Sequence, residues 1–189
     1  MTGKTHQIIG LTSGLYYYLA VVPVAYNPAT FAAVLVASSI ASLLPDIDNP
    51  AAKIWNTLPF GHVAGELVNP FIRHRNISHS FMGLAIVGFL AHELIRRMPL
   101  YWGINGHLMF VAFLLGYSSH ILADMLTVEG VPLLFPHKRM YGIPPRPFQH
   151  LRIITGNWFE NLIVFPGVNA ILIALLYTRW WEVTRIIFH

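Results

Sequence analysis

The 189-residue chain has no cysteine. That removes disulfides, iron-sulfur clusters and thiolate zinc sites, and leaves imidazole and carboxylate as the strong side-chain metal ligands. Charge is scarce as well: Asp, Glu, Lys and Arg make up 11% of the chain, far below the roughly 25% of an ordinary soluble domain. With 55% hydrophobic residues and a mean hydropathy of +0.55, the composition points to lipid as the solvent. Also missing are a Gly-x-Ser-x-Gly elbow, a P-loop, a His-Glu-x-x-His pair and a Rossmann glycine pattern, which argues against serine-hydrolase and nucleotide-fuelled chemistry. The net charge of +4 could suggest nucleic acid, but the twelve Lys and Arg are scattered between apolar runs and gathered on no one face. No nucleic-acid partner is expected.

What is present is apolar length. Five segments, about 7–25, 29–45, 79–97, 107–127 and 159–178, approach or exceed the roughly 17 helical residues needed to cross a hydrocarbon core. The first is preceded by Lys4 and reads as a retained helix, because it is too long for a signal-peptide core and Val22-Pro-Val-Ala-Tyr26 is a poor cleavage site. The third is the weakest, since His92 and Glu93 interrupt it and Arg96-Arg97 end it. The expectation is an all-α, integral-membrane helical bundle forming a single domain over 1–189, with two Pro-rich cytoplasmic loops, Asp46 to Ser78 and Val128 to Asn157. In the first loop, Ala52 to Leu67 reads as an interfacial helix; in the second, Pro144-Pro145-Arg146-Pro147 reads as extended. Tyr16-Tyr17-Tyr18, Trp102, Trp180 and Trp181 read as belt aromatics.

Cytoplasmic loops are enriched in Lys and Arg. A five-span arrangement puts Lys4, Lys53, Arg73, Arg75, Lys138, Arg139, Arg146 and Arg152 on one side and Arg96, Arg97, Arg179 and Arg185 on the other. The protein is therefore expected in the inner (plasma) membrane as a multi-pass chain with a cytoplasmic amino terminus.

The same arrangement, built without reference to ligands, brings His6, Asp46, Asp48, His74, His79, His120, Asp124 and Glu160 to the cytoplasmic ends of the helices. Ser119-His120-Ile-Leu-Ala-Asp124 sets an imidazole and a carboxylate on one helix face. Leu44-Pro-Asp46-Ile-Asp48 offers two carboxylates, either as a turn or cap or as a cation site. In Arg73-His-Arg-Asn-Ile-Ser-His-Ser80, Ser78 reads as the cap of a helix starting at His79, and the arginines could equally serve anionic lipid. His62, His92, His107, His137, His150 and His189 lack comparable partners.

Taken in order, Thr5-His6, Leu44-Pro-Asp-Ile-Asp48, His74-Arg75-x-x-Ser78-His79-Ser80, Ser119-His120-x-x-x-Asp124-x-x-Thr127 and Gly130 with Pro136 resemble the YdjM-like family of predicted membrane-bound metal-dependent hydrolases. The family pattern commonly has Gly where this chain has Asn76. A looser likeness, to zinc-dependent phospholipase C and P1-type nucleases, is an analogy at the level of the fold. The resemblance implies an inner-membrane metal-dependent hydrolase, read here as acting on a phosphoester of a lipid or lipid-linked substrate. His6, Asp46, His79, His120 and Asp124 would bind a divalent ion, with His74 and Asp48 bridging or orienting them. Zinc suits these ligands, and manganese or iron is compatible. Asp48 or Glu160 would take a proton from water, and Arg73, Arg75, Arg146 or Arg152 would hold phosphate oxygens. The rival readings are a metal-binding transporter or channel and a non-catalytic membrane scaffold or regulator.

Overall fold

A computed structural model describes residues 1–22, 27–48, 75–137 and 139–188. Seven α-helices organise them: α1 (Gly3–Tyr16), α2 (Pro28–Ala41), α3 (Arg75–Ser78), α4 (Phe81–Arg97), α5 (Gly106–Met125), α6 (Phe165–Thr178) and α7 (Trp180–Phe188). A π-helical turn, Tyr17–Val21, prolongs α1, and another, Glu160–Val164, leads into α6. Among the described residues two spans are long and apolar enough to cross a membrane, Gly106–Met125 and Glu160–Thr178, while α2 is apolar but shorter. The expected interfacial helix at 52–67 lies outside the described residues.

Local chemistry sets the helix starts. Asn27 Oδ1 accepts from the Thr30 amide at 2.8 Å with Pro28 in the first helical position, and Asn105 Oδ1 accepts from the amides of His107 and Leu108. The cap before α4 is Ser80, whose Oγ accepts from the Gly83 amide at 3.1 Å. This corrects the assignment of that cap to Ser78, which ends α3 instead. Glu93 in α4 is held by Arg96 at 3.1 Å and Arg97 at 3.2 Å on the neighbouring turn, so the charge that weakened the third segment is locally matched.

Helices α1, α2 and α5 form the centre, and small residues let them approach. A methyl group at Gly10 or Gly14 of α1 would collide with Ser42 or Ser38 of α2, and one at Gly116 of α5 would collide with the Ser38 carbonyl. Small residues four apart permit such close packing inside a bilayer. Two apolar clusters flank the seam. One gathers Leu15, Tyr18, Leu19, Val34, Leu108 and Ala112 with Val183 and Ile186 of α7; the other gathers Ala41, Tyr117, Ile121 and Val131. Tyr18 is thus fully buried, its ring 5.6 Å from Phe31, and is no belt residue. Tyr16, Trp102, Trp180 and Trp181 are exposed, as belt aromatics would be.

The second Pro-rich loop is folded against the helix ends. Val131 and Tyr141 exchange backbone hydrogen bonds, Thr127 bridges to Ile153, and the Ile143 amide donates to Met125 O of α5. Gly130, at φ +68°, makes the tight turn beneath Tyr141. Arg152 is buried and staples the loop, its Nε donating to Pro144 O at 2.7 Å and its Nη2 to Gly142 O at 3.1 Å. Its guanidinium is therefore committed to carbonyls and not presented to a phosphate. Pro145 is extended, but a 3-10 turn begins at Arg146, so the proline run is only partly extended. The fixed φ of Pro147 suits a first helical turn.

The seam makes a test. Gly116→Ala should destabilise the protein by about 1–3 kcal/mol or more through overpacking, read as a lowered midpoint of thermal unfolding in detergent. Gly167→Ala in α6, whose added methyl meets nothing within 4 Å, should be neutral or stabilising by up to about 1 kcal/mol. Equal loss in both variants would mean that the seam is not closely packed.

Candidate metal centre

The seam has a chemical consequence at the end that meets the folded loop. It brings His6 from the first turns of α1, Asp46 from the 3-10 turn Leu44–Asp48 that follows α2, and His120 and Asp124 from the last turns of α5 into one layer. His79, between α3 and α4, completes it. His6, His79 and His120 are buried, and the two carboxylates are mostly so. Two groups could hold a metal ion, His6 with His120 and Asp124, and Asp46 with His79 and His120.

The distances are short and mutually consistent. His120 Nε2 lies 3.2 Å from His79 Nε2. His79 Nε2 is 3.5 Å from both Asp46 Oδ1 and Asp124 Oδ2. His120 Nε2 is 3.7 Å from Asp46 Oδ1 and 3.5 Å from Asp124 Oδ2. Donors about 2.1 Å from a tetrahedral zinc ion stand about 3.4 Å from one another, so these separations are compatible with ligands of a small cation.

Protonation points the same way. His120 Nδ1 faces the Ser42 carbonyl at 2.7 Å; a carbonyl only accepts, so Nδ1 carries a hydrogen and Nε2 is the nitrogen turned into the cluster. His79 Nδ1 is engaged by Ser78 Oγ at 3.0 Å, which leaves its Nε2 facing that of His120. Two such nitrogens at 3.2 Å need a hydrogen between them, which a His79 tautomer protonated at Nε2 supplies while Ser78 Oγ donates to its Nδ1, or a metal ion in place of that hydrogen. His6 stacks on His120 with ring centroids 3.6 Å apart. Its Nε2 is 3.0 Å from Asp124 Oδ1, yet neither ring nitrogen is aligned for a hydrogen bond. A buried imidazole left in that state is costly unless it ligates something. The donor set therefore fits a metal ion. The amino group of Met1 also reaches Asp124 Oδ1. Burial works against ionisation of Asp46, but neighbouring His79, with His120 and His6, holds its carboxyl below the ordinary value.

The sequence-derived candidates divide. His6, Asp46, His79, His120 and Asp124 come together. His74 lies outside the described residues, as do the side chains of Asp48, which closes the 3-10 turn, and Arg75, which opens α3. Glu160 belongs to neither metal-type group. Fully buried, it accepts from the Thr2 amide at 2.7 Å and Thr2 Oγ1 at 2.6 Å through one oxygen and from the Gly156 amide at 2.8 Å through the other. It clamps the start of α1 to the turn before α6. Sequence reasoning missed Thr2, and it missed the Ser42 carbonyl, for which no side-chain signal exists. The clamp predicts that Glu160→Gln, which weakens two charge-assisted bonds and misplaces a donor, lowers stability by about 1–3 kcal/mol in thermal unfolding. Bound metal, measured by elemental analysis, should be unchanged; loss of metal would place Glu160 in the centre.

The comparisons with known proteins agree with one another. The model of the family described as "YdjM inner membrane protein" matches residues 1–186. "Inner membrane protein YdjM" of Escherichia coli (strain K12) is 30% identical over 149 residues, covering 76% of this chain and 70% of that protein. "Uncharacterized protein YvsG" of Bacillus subtilis (strain 168) is 28% identical over 167 residues, covering 87% of this chain and 88% of that protein. No solved structure matches. A match along almost the entire length, joined to a helical fold with a buried His/Asp cluster, places this chain in the YdjM family of inner membrane proteins.

Proposed function

We propose that this membrane protein is a metal-dependent hydrolase that cleaves a phosphoester of a lipid or lipid-linked substrate at the cytoplasmic interface. The observation that supports it most is the set of five donor separations between 3.2 and 3.7 Å among His79, His120, Asp46 and Asp124. In this reading five spans cross the bilayer, with α1 and its π turn, α2 and α4 joining the two longer helices, and the amino terminus is cytoplasmic on the strength of the Lys and Arg distribution.

His120 links both metal-type groups, but its Nε2 has a single lone pair and can serve one ion. We therefore read the cluster as mononuclear, held by His79, His120, Asp46 and Asp124 with His6 as a further donor. Zinc suits the ligand set, with manganese or iron compatible. A divalent ion in such a site supplies a Lewis acid for a phosphoryl oxygen and lowers the pKa of water towards about 7.

The chain's own groups do the rest. The Ser42 carbonyl and Ser78 Oγ fix the outer nitrogens of His120 and His79, so the two rings hold their orientation without depending on the ion. Asp48, closing the turn that carries Asp46, is assigned as proton acceptor. Glu160 is a poorer base, because both its oxygens already accept hydrogen bonds. Arg75, at the start of α3, is assigned to the phosphate.

Elemental analysis of protein purified in detergent should find about one divalent ion per chain, as the single shared lone pair requires. His120→Ala and Asp46→Asn should lose it, along with chelator-sensitive release of phosphate from phospholipid vesicles. Ser78→Ala should keep every ligand but weaken metal affinity about 10–100-fold. Full metal content and full activity in His120→Ala would overturn the proposal.

A further inference from the structure

A second feature lies apart from the metal layer. Between α1 and α6, floored by Leu115 of α5, runs a cleft of about 620 Å³ lined by Ile9, Thr12, Tyr16, Val168 and Ile171 among others. It follows α1 from Ile9 to Val21, about 18 Å at 1.5 Å per residue. The Thr12 and Ser13 hydroxyls on its wall are spent locally: Thr12 Oγ1 donates to Ile8 O at 2.7 Å and Ser13 Oγ to Ile9 O at 2.8 Å. The walls therefore present hydrocarbon. A void of this size would forfeit dispersion contacts, and water would find too few polar partners in it. Helix α6 buries no residue of its own, so the cleft stands open along the side where that helix meets lipid.

Charge at one end selects the occupant. Lys4 is exposed, and its ammonium lies 5.0 Å from the Phe165 ring centroid, at the foot of the same α1–α6 seam. Trp158 and Phe159, paired edge to face and exposed, stand just before α6 at that end, as aromatics do at a headgroup boundary. A cation at the foot of an apolar channel matches an anionic phospholipid, phosphate at the ammonium and acyl chain along the helices. Residues two apart on a helix face different directions. Lys4 therefore turns away from His6, and a phosphate held there is on the far side of α1 from the metal ligands.

We infer that the α1–α6 cleft is a binding site for one acyl chain of an anionic phospholipid whose headgroup pairs with Lys4, and that this lipid is a resident component and not the substrate. The occupant completes the packing of α6, which otherwise meets the bundle through the Glu160 clamp and through Leu172, Leu175 and Leu176.

The test uses the full-length protein in vesicles of phosphatidylcholine and phosphatidylglycerol, doped with either lipid carrying a photoactivatable acyl chain, and maps the labelled peptides. Label from phosphatidylglycerol should concentrate on the cleft-facing parts of α1 and α6 relative to Phe89, Leu90 and Leu94, which are exposed on α4. Val168→Trp, which fills the cleft, should cut the α1 and α6 label severalfold and leave the α4 label intact; the latter, with retained metal, shows that the variant is folded. Lys4→Gln should reduce the preference for phosphatidylglycerol over phosphatidylcholine about fivefold, the effect of one basic side chain at the surface. Asp46→Asn should leave the pattern unchanged. Label spread evenly over α1, α4 and α6, or label indifferent to Val168→Trp, would overturn the assignment, whether or not the protein proves to be a hydrolase.

Discussion

Helices α1, α2 and α5 can touch along their backbones because Gly10, Gly14 and Gly116 meet Ser38 and Ser42 with no side chain between them, and the rest of the molecule is hung on that contact. In lipid, apolar surface gains little by leaving one hydrocarbon environment for another, so association depends on close van der Waals fit and on hydrogen bonds. The serine hydroxyls are satisfied within α2, Ser38 on Leu35 O and Ser42 on Ser39 O. The glycines can then press against them without leaving a polar group unmatched. With the three axes fixed, the imidazoles of His6 and His120 have room only to stack.

The peripheral pieces hold less tightly and for different reasons. α4 joins through the Ser80 cap, through the Phe81 amide on Leu133 O of the folded loop, and through Tyr117 Oη on Ser78 O at 2.7 Å. These bonds aim His79 at the centre. α6 is anchored at its foot by Glu160, while α7 turns back after Arg179 and seals the opposite end with Val183 and Ile186. Polar contacts fix the metal layer, and at the other end the apolar packing of α7 sits beside the hydrogen bonds that Asn27 and Thr30 make to Trp102, Gly103 and Asn105.

Much of this was legible in the sequence because two of its signals are cheap to read. Apolar run length places the long helices, and the rarity of charge makes each His or Asp near a run's end conspicuous. Helix ends that share a boundary share a layer, which brings forward His6, Asp46, His79, His120 and Asp124 together with Asp48, His74 and Glu160; the resemblance to the family narrows that set. Other features depend on which neighbour happens to be close. Glu160 resembles a catalytic carboxylate until Thr2 and Gly156 are seen to fill its oxygens. Tyr18 looks like its neighbours Tyr16 and Tyr17, and only the packing against Phe31 separates it. The folded loop rests on pairings such as Val131 with Tyr141, which no local pattern announces. The spacing Gly10-x-x-x-Gly14 was a readable sign of the seam.

The partner of His120 is a backbone carbonyl, that of Ser42 at the end of α2, where a helix leaves its last carbonyls without internal donors and carries partial negative charge. Many metal sites orient a histidine with a carboxylate, a group that one substitution can delete. This acceptor survives any change of side chain at its position and moves only when α2 moves. The tautomer of the buried imidazole is therefore written into the backbone of the seam, and a substitution at position 42 reaches it only by moving that backbone.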